Sequence, residues 1–304
     1  MIDLSFIKSF VTITKTGSFR IAAERSHITQ PAVSQHVKIL ERKMNTKLFE
    51  RHGKKVSLTP AGKIFLPYAE NILKQYEEAK MCVRETQNEF KGTIRIATIY
   101  SIGLYELRSV INTFFRKYPK IDLHFEYHHN TAIYEMVLNR TIDFGLVAFP
   151  QEKSGIVSNV FTEDKLVLVQ SPDRRLIKKK TLLPKDLEGV NFIGFSQTTP
   201  TGNIIGQCFT IRGIQPNIIH EYDNIELVKS AVVLGLGCAI LPKNTIAREL
   251  KEKSLEIISA TGLPQRRPLG IIYQKGKVFT KSMHVFHDML MAKNHIMDEP
   301  ALRV

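Results

Sequence analysis

The sequence has few cysteines and no long apolar segment, and each absence excludes a class of protein. Its 304 residues include three cysteines, which lie far apart at Cys82, Cys208 and Cys238. This spacing fits neither a disulfide framework nor a zinc cluster. No run of about 18 apolar residues occurs that would form a transmembrane helix. The first residues also lack the charged segment that opens a signal peptide, so we expect a cytoplasmic protein with no membrane partner.

Motifs that bind nucleotides or supply a nucleophile are absent as well. There is no P-loop and no Gly-x-Ser-x-Gly motif, and Gly235-x-Gly237 lacks the third glycine of a dinucleotide-binding fingerprint. An enzyme built on His128 and His129 is the alternative, although no residue beside them completes a recognised metal-ligand spacing. We therefore predict no catalytic residue, no metal and no cofactor.

The charge of the chain is positive and concentrated near one end. Lys and Arg number 43 against 29 Asp and Glu, a net charge of +14, which favours a polyanionic partner such as nucleic acid. Residues 1–60 hold 11 basic and 4 acidic residues, so this fifth of the chain carries half of the net charge. The distribution predicts a small basic module attached to a larger and more neutral body.

The first 45 residues predict three short helices. Apolar residues keep a helical period over residues 4–14, and Gly17 ends this first helix. Ser18 is suited to cap the second helix, and Thr29 to cap the third, which has Pro31 in its first turn. With small residues where two helices must cross closely, the pattern is typical of a helix-turn-helix.

The third predicted helix has an apolar face and a polar face. Amide, hydroxyl and cationic side chains on the polar face are the groups that read base edges and bind phosphates. A solvated helix face is the alternative for any one of them, but together they favour double-stranded DNA as the partner. The candidate DNA-contacting residues of this helix are Thr29, Gln30, Pro31, Ser34, Gln35 and Lys38.

A β-hairpin wing is predicted after this helix. Two short extended segments within residues 48–59 flank a basic turn. Arg51, Lys54 and Lys55 would contact phosphates there, which adds affinity without sequence information. An ordinary charged turn is the alternative interpretation.

A long helix is predicted to begin at Thr59-Pro60, a cap followed by proline at the first helical position. Apolar or small residues then recur at steps of four and three, which is typical of a coiled-coil seam. We predict that this seam joins two copies of the chain; packing against the body of the same chain is the alternative. The candidate dimerisation residues are Phe65, Ala69, Ile72, Tyr76, Ala79 and Val83.

From Gly92 onward, short apolar strands alternate with helices. This alternation predicts an α/β body with parallel sheets, long enough for two small lobes. The predicted elements include a strand at Leu166–Gln170 and a helix at Tyr105–Lys117.

Several motifs in this order resemble one known family. They are Gly17-Ser18-Phe19, Ala22-Ala23, Thr29-Gln30-Pro31-Ala32-Val33-Ser34, Leu48-Phe49-Glu50-Arg51, Leu58-Thr59-Pro60-Ala61-Gly62, Ile142-Asp143-Phe144-Gly145-Leu146-Val147 and Gly235-Leu236-Gly237-Cys238-Ala239-Ile240-Leu241-Pro242. They resemble the LysR-type transcriptional regulators, and the similarity extends over residues 1–292. Many relatives carry Arg where this chain has Gln35. A stretch at residues 99–104 further resembles regulators of cysteine and sulfur assimilation.

The resemblance implies a sequence-specific regulator with several domains. We expect an all-α winged helix-turn-helix domain, a linker helix that dimerises, and a two-lobed effector domain like a periplasmic binding protein, assembled as a homodimer or homotetramer. The expected boundaries are 1–60 for DNA binding, 61–91 for the linker, 92–163 with 269–292 for lobe I, 164–268 for lobe II, and 293–304 for a frayed tail. A transporter's solute-binding protein is a further alternative, which would leave the first 60 residues unexplained.

The effector site is expected at the carboxyl ends of strands, where helix N-termini present free N–H groups. Hydroxyls and amides dominate these strand ends, so a small polar or anionic metabolite is the predicted ligand; a helix cap is the alternative role for each hydroxyl. The candidate effector-binding residues are Ser101, Ile102, His129, Phe149, Thr199, Thr201 and Asn224.

Overall fold

The structure is a computed structural model that describes residues 3–52, 55–85, 90–179 and 181–296. The chain divides into two units, Met1–Glu89 and Phe90–Val304. Lys54 of the predicted wing lies outside the described residues, as does the tail from residue 297. The frayed tail was expected to begin at residue 293, but the last helix continues to Ile296, so that boundary is corrected.

Three helices and a hairpin form the start of the first unit, as the sequence predicts. The helices are α1 (Leu4–Thr16), α2 (Phe19–Ser26) and α3 (Gln30–Met44), and the hairpin pairs β1 (Phe49–His52) with β2 (Lys55–Leu58). The predicted caps are present, because the hydroxyls of Ser18 and Thr29 accept hydrogen bonds from the first turns of α2 and α3. Thr59 caps the next helix, α4 (Pro60–Glu85), in the same way.

The first half of α4 packs against its own unit. The Phe65 ring centroid lies 5.1 Å from that of Phe10, and Ala69 has no exposed surface. Phe65 is half-buried against the three-helix core and Ala69 is fully covered by it, so these two predicted seam positions pack within their own unit, as the alternative interpretation has it. Further along, Ile72 and Tyr76 remain exposed.

One mixed sheet organises the second unit, with a separate parallel pair beside it. The strands are β3 (Gly92–Thr98), β4 (Ile121–Tyr127), β5 (Phe144–Ala148), β6 (Ile156–Gln170), β7 (Thr181–Leu182), β8 (Asn191–Phe195), β9 (Asn217–Tyr222), β10 (Ala239–Pro242), β11 (Glu256–Ala260) and β12 (Arg266–Gln274). The main sheet has the order β4-β3-β5-β12-β6-β11-β7, with β10 also on β6, and β8 pairs with β9.

The expectation of parallel sheets is wrong at the centre of this unit. Strands β3, β4 and β5 are parallel, but β12 runs antiparallel to both β5 and β6. For β6, the sequence analysis predicts only the second part, Leu166–Gln170, as a strand, whereas the strand begins at Ile156. Its first half was missed because polar and apolar residues mix there without a continuous apolar run. Near one end of the β6–β12 pairing, Asp164 lies opposite Arg267.

Helices and one π-helical turn connect the strands. The helices are α5 (Arg108–Lys117), α6 (Asn130–Leu138), α7 (Pro200–Arg212), α8 (Ile225–Val233), α9 (Ala247–Lys251) and α10 (Lys281–Ile296). The helix predicted from Tyr105 is preceded by a π-helical turn, Ile102–Glu106, and the α-helical part starts only at Arg108.

The second unit has two lobes with separate apolar cores. One core draws its side chains from residues 166–263, and the other from residues 94–161 together with residues 269–290. Strands β6 and β12 pass between the two cores, while Tyr105 reaches from lobe I to pack on the core of lobe II, which is formed by residues 166–263. In the described part of the chain, no helix combines the length and apolarity needed to cross a membrane.

Candidate functional site

The polar face of α3 is exposed, as the sequence predicts. Val33, Val37 and Leu40 are buried in the core of the first unit, so the opposite face must point outward. Of the candidate DNA-contacting residues on α3, Ser34 is half-buried and the rest are exposed; these are Thr29, Gln30, Pro31, Gln35 and Lys38. Arg51 and Lys55 lie on the two strands of the wing.

A buried carboxylate connects α3 to the wing. Glu41 accepts hydrogen bonds from the Leu48 backbone N–H at 3.0 Å and from the Lys47 ammonium at 2.8 Å. Sequence analysis did not assign Glu41 a role. Its only sequence signal is a charged residue beside Leu40, on the apolar side of α3.

A cavity of about 420 Å³ lies between the two lobes of the second unit. Lobe I contributes the ends of β3, β4 and β5, and lobe II contributes the loop before α7 and the end of β9. The lining residues are Ile99, Tyr100, Ser101, His128, His129, Asn130, Thr131, Ala148, Phe195, Thr198, Thr199, Pro200, Thr201, Asp223, Ile225 and Arg267. The position at the carboxyl ends of strands is the one expected for an open α/β fold.

Four of the candidate effector residues meet in this cavity. They are Ser101, His129, Thr199 and Thr201. Thr199 also caps α7, since its hydroxyl accepts a hydrogen bond from the Gly202 N–H at 3.1 Å.

The other three candidates do not line this cavity. Ile102 has no exposed surface, because it packs in the apolar core beneath the π-helical turn. Asn224 caps α8 by accepting a hydrogen bond from the Glu226 N–H at 2.8 Å, and it does not line the cavity. Phe149 lines an adjoining cavity of about 270 Å³ together with Tyr134 and Lys153.

Arg267 is a buried residue of the cavity wall that the sequence analysis did not predict. Its Nε donates to Asp164 Oδ2 at 3.0 Å, and its Nη2 donates to the same oxygen and to Ser101 Oγ at 3.2 Å. The Arg267 side chain is 3% exposed and lines the cavity. An arginine at the expected lobe crossing was visible in the sequence, but only the β6–β12 register shows which residue it pairs with.

Two carboxyl groups accompany Arg267 below the cavity. Burial raises the pKa of Asp164 to about 6, against the opposing effect of the Arg267 charge, and the neighbouring Glu106 carboxyl raises it further. Glu106 is also buried, and its Oε1 accepts a hydrogen bond from Asn244 Nδ2 at 2.5 Å. A buried charge is stabilised only by close partners, so this cluster depends on its hydrogen bonds.

The remaining titratable and metal-binding residue types of the second unit were compared with the chemistry that a catalytic or metal site needs. His129 Nε2 lies 3.5 Å from Asp223 Oδ2, which connects the lobes across the cavity. Burial raises the pKa of Cys238 to about 12, which leaves the thiol unreactive at neutral pH. Within the described ranges, no three His, Cys, Asp or Glu side chains are arranged to hold a metal ion.

A helix-turn-helix with an exposed polar helix, together with a ligand-sized cavity between two lobes, defines a DNA-binding regulator that responds to a small molecule. Two family profiles match the chain: "Bacterial regulatory helix-turn-helix protein, lysR family" over residues 4–63, and "LysR substrate binding domain" over residues 87–294. The chain belongs to the LysR family of transcriptional regulators. It is a transcriptional regulator rather than an enzyme, with a DNA-binding helix-turn-helix and a domain that binds a small molecule.

Relatives cover almost the whole chain. A probable RuBisCO transcriptional regulator from Thalassiosira pseudonana is 31% identical over 94% of this chain and 96% of its own length. The HTH-type transcriptional activator CmpR from Synechocystis is 30% identical over 93% of each chain. The regulatory domain of Synechocystis CcmR in complex with 2-PG matches with a TM-score of 0.61 and 23% identity, covering 66% of this chain and 97% of that domain. These relatives lend no support to the resemblance to sulfur regulators.

Proposed function

We propose that the chain reads promoter DNA with α3 and the wing, and that it is controlled by a small anion held at Arg267 in the inter-lobe cavity. The observation that carries this proposal is a buried guanidinium on the cavity wall with one nitrogen left over. Nε and Nη2 are engaged by Asp164 and Ser101, and no hydrogen bond within the described residues involves Nη1. A ligand oxygen is the natural acceptor for that nitrogen.

Helix N-termini on both sides of the cavity favour the same class of ligand. Asn130 and Thr131 lie in the first turn of α6, whose cap His129 makes no side-chain hydrogen bond to the helix. Thr201 lies in the first turn of α7 on the other lobe. Free N–H groups at such termini attract negative charge.

Size and wall chemistry restrict the ligand further. A cavity of about 420 Å³ is at the small end of the range for metabolite sites. Ile99, Phe195 and Ile225 supply apolar wall beside the polar groups. A small carboxylate or phosphate ester with a short carbon skeleton fits these features, and 2-PG, the molecule in the CcmR complex, is the first candidate to test.

Dimerisation is proposed along the exposed part of α4. Ile64, Tyr68, Ile72 and Tyr76 follow one another at steps of four and are all exposed, with Ile64 at 68%. Ala79 and Val83 extend this exposed side, so four of the six predicted seam residues stay candidates. A second copy of α4 would cover an apolar stripe that water otherwise faces.

The proposed mechanism couples these parts. A bound anion closes the cleft between the lobes, the contacts between copies shift, and the spacing of the two DNA-reading helices changes. Coupling between sites is typically about 1–3 kcal/mol, which adjusts DNA occupancy or bend rather than abolishing binding. Since promoter DNA is the target, we place this activity in the cytoplasm.

DNA recognition is tested by binding to the gene's own upstream fragment and to a scrambled duplex across a salt series. We expect a preference for the native fragment that persists at physiological salt. Gln30→Ala should weaken specific binding by about 1–3 kcal/mol and leave non-specific binding unchanged. Gln207→Ala, which removes an exposed amide from the second unit, is the matched control. Equal and steeply salt-dependent binding to both duplexes contradicts the proposal.

Effector binding is tested by calorimetry with 2-PG, sulfate, glycolate and related small acids. Ser101→Ala removes a hydroxyl that lines the cavity and orients Arg267, so we expect about tenfold weaker binding. Thr113→Ala removes an exposed hydroxyl on α5 and serves as control. Equal affinities of the wild type and Ser101→Ala would remove Ser101 from the site.

A further inference from the structure

Arg267, Asp164 and Glu106 form a buried cluster under the effector cavity, here called the floor cluster. The side chain of Asp164 is 1% exposed and that of Arg267 is 3% exposed, and Glu106 is also buried. The three residues come from β6, β12 and the π-helical turn, so both lobe-crossing strands and lobe I meet in the cluster. If every group is ionised, the cluster holds two negative charges and one positive charge.

Hydrogen bonding in the floor cluster is incomplete when both carboxyls are ionised. Asp164 Oδ2 accepts from Arg267, but among the described residues Asp164 Oδ1 has no hydrogen-bond donor, and it is shielded from solvent. The Glu106 carboxyl lies within hydrogen-bonding range of Asp164. An unpartnered buried acceptor is destabilising, and two neighbouring buried carboxylates repel each other. One proton between the two carboxyls removes both penalties.

We propose that Asp164 and Glu106 share one proton, and that this proton sets how strongly Arg267 holds an anion in the cavity. This inference rests on the proposed effector site. With the proton present, the floor cluster is neutral and Nη1 of Arg267 faces a ligand as an effective cation. Without it, the cluster carries a net negative charge that opposes an incoming anion. Asp164 and Glu106 are thus positioning residues, since they act on the ligand through Arg267.

Several other groups lie around the floor cluster. Ser101 and Asn244, which contact Arg267 and Glu106, are neutral. The buried ammonium of Lys229 is bound by Glu226, Glu249 and the Tyr105 hydroxyl. The titratable groups that line the cavity beside Arg267 are His128, His129 and Asp223. Burial and Glu106 place the pKa of Asp164 at about 6, within the range in which a cell's pH can vary.

The sign of the pH dependence follows from this pKa. A bound anion favours the protonated pair, so its binding takes up a proton wherever the free protein has lost it. Anion affinity should be constant below about pH 6 and should fall above it by up to tenfold per pH unit. Sulfate and glycolate are suitable probes because their own charge is constant between pH 6 and pH 8.5.

Glu106→Gln tests the shared proton without emptying the site. The glutamine amide can donate to Asp164 Oδ1 as the proton would. It leaves the floor cluster neutral between pH 6 and pH 8.5, because the Glu106 charge that raises the pKa of Asp164 is gone. We expect the variant to bind sulfate or glycolate at pH 8 at least tenfold more tightly than the wild type, with no dependence on pH. Glu163→Gln changes an exposed carboxyl next to Asp164 on the same strand, which is bonded to Arg266, and it should behave as the wild type.

Infrared difference spectroscopy of the ligand-free protein provides the second readout. The carbonyl band of a protonated carboxyl should appear between pH 8 and pH 5 in the wild type and in Glu163→Gln, and the band assigned to the pair should be missing in Glu106→Gln. Its presence in Glu106→Gln at wild-type strength overturns the shared proton.

The two proposals fail in different ways. Anion binding without proton uptake, measured by calorimetry in buffers of different ionisation enthalpy, overturns the coupling and leaves the effector site in place. If no small anion binds any form of the protein, the proposed effector site is wrong and the coupling fails with it. The infrared result decides the shared proton in either case.

Discussion

At the scale of single residues, a buried carboxylate can hold backbone N–H groups in place, although a charged residue in the sequence usually predicts an exposed position. Glu41 is buried at the end of α3 and accepts the N–H groups of Leu48 and Phe49, where the chain enters the wing. Lys47 lies beside it and neutralises the charge. The position of the wing relative to the DNA-reading helix therefore depends on one side chain.

Glu41→Ala should destabilise the first unit by about 2 kcal/mol, because two backbone N–H groups near the core lose their charged acceptor. Hydrogen exchange of the α1–α3 amides in the full chain measures the change. Glu24→Ala is the matched control, since Glu24 forms an exposed pair with Arg20 whose removal should cost about 0.5 kcal/mol. Equal effects of the two substitutions would contradict the assigned role of Glu41.

At the scale of elements, the apolar pattern of α4 includes residues that pack on the core of their own unit and residues that stay exposed. Phe65 and Ala69 face the core of their own unit, while Ile64 and Tyr68, one position earlier in each case, are exposed. The six predicted seam residues lie on one side of α4, within about 80° of each other at 100° per residue. The three-helix core packs against that side at Phe65 and Ala69 and leaves it exposed from Ile72 onward. A pattern of three- and four-residue steps cannot distinguish packing within one chain from packing between two copies, because both use the same apolar residues.

Ile72→Glu should dissociate the dimer and leave α4 folded. The exposed isoleucine would lie in the interface between two copies, where a buried carboxylate is strongly unfavourable. Analytical ultracentrifugation should show at least a tenfold increase in the dimer dissociation constant, with unchanged helix content by circular dichroism. Lys63→Gln changes the charge by the same amount at an exposed position on the opposite side of α4 and is the control. A dimer that persists unchanged in Ile72→Glu would exclude this side of α4 as the interface.

At the scale of the whole molecule, side chains that cross between the two lobes of the second unit hold them together. Tyr105 extends from the π-helical turn of lobe I, and its hydroxyl donates to Glu226 at 2.5 Å and accepts from Lys229 at 2.7 Å in lobe II. Burial raises the pKa of Tyr105, so the hydroxyl keeps its proton at neutral pH. Because Ser101 precedes the same turn and lines the cavity, ligand contacts and lobe contacts share one short segment.

Tyr105→Phe should weaken the contact between lobes without removing the ring from the core of lobe II. Two hydrogen bonds to charged partners disappear, so we expect local opening to become easier by about 1–3 kcal/mol. Hydrogen exchange should increase in the π-helical turn and in α8 and remain unchanged in α1–α3. Tyr118→Phe, whose ring packs on Phe114, is the control. Unchanged exchange in α8 would show that Tyr105 does not hold the lobes.

The sequence by itself determined the parts of this protein that local signals encode. Capping hydroxyls at Ser18, Thr29 and Thr59 marked three helix starts, and each makes the expected hydrogen bond. The charge distribution identified the DNA-binding end, and strand ends located four cavity residues. These succeed because caps, helical period and charge depend on residues within a few positions of each other.

Only the tertiary structure decided which distant residues meet. The antiparallel pairing of β6 with β12 brings Arg267 to Asp164 across 103 positions of sequence, and neither residue was predicted to be buried. Of the residues predicted for the cavity, Ile102 packs in the apolar core and Asn224 caps a helix. Periodicity predicts on which face of a helix or strand a residue lies, but long-range strand pairing decides which residues lie opposite that face. Nothing in the sequence around a charged residue indicates that its partner is also buried.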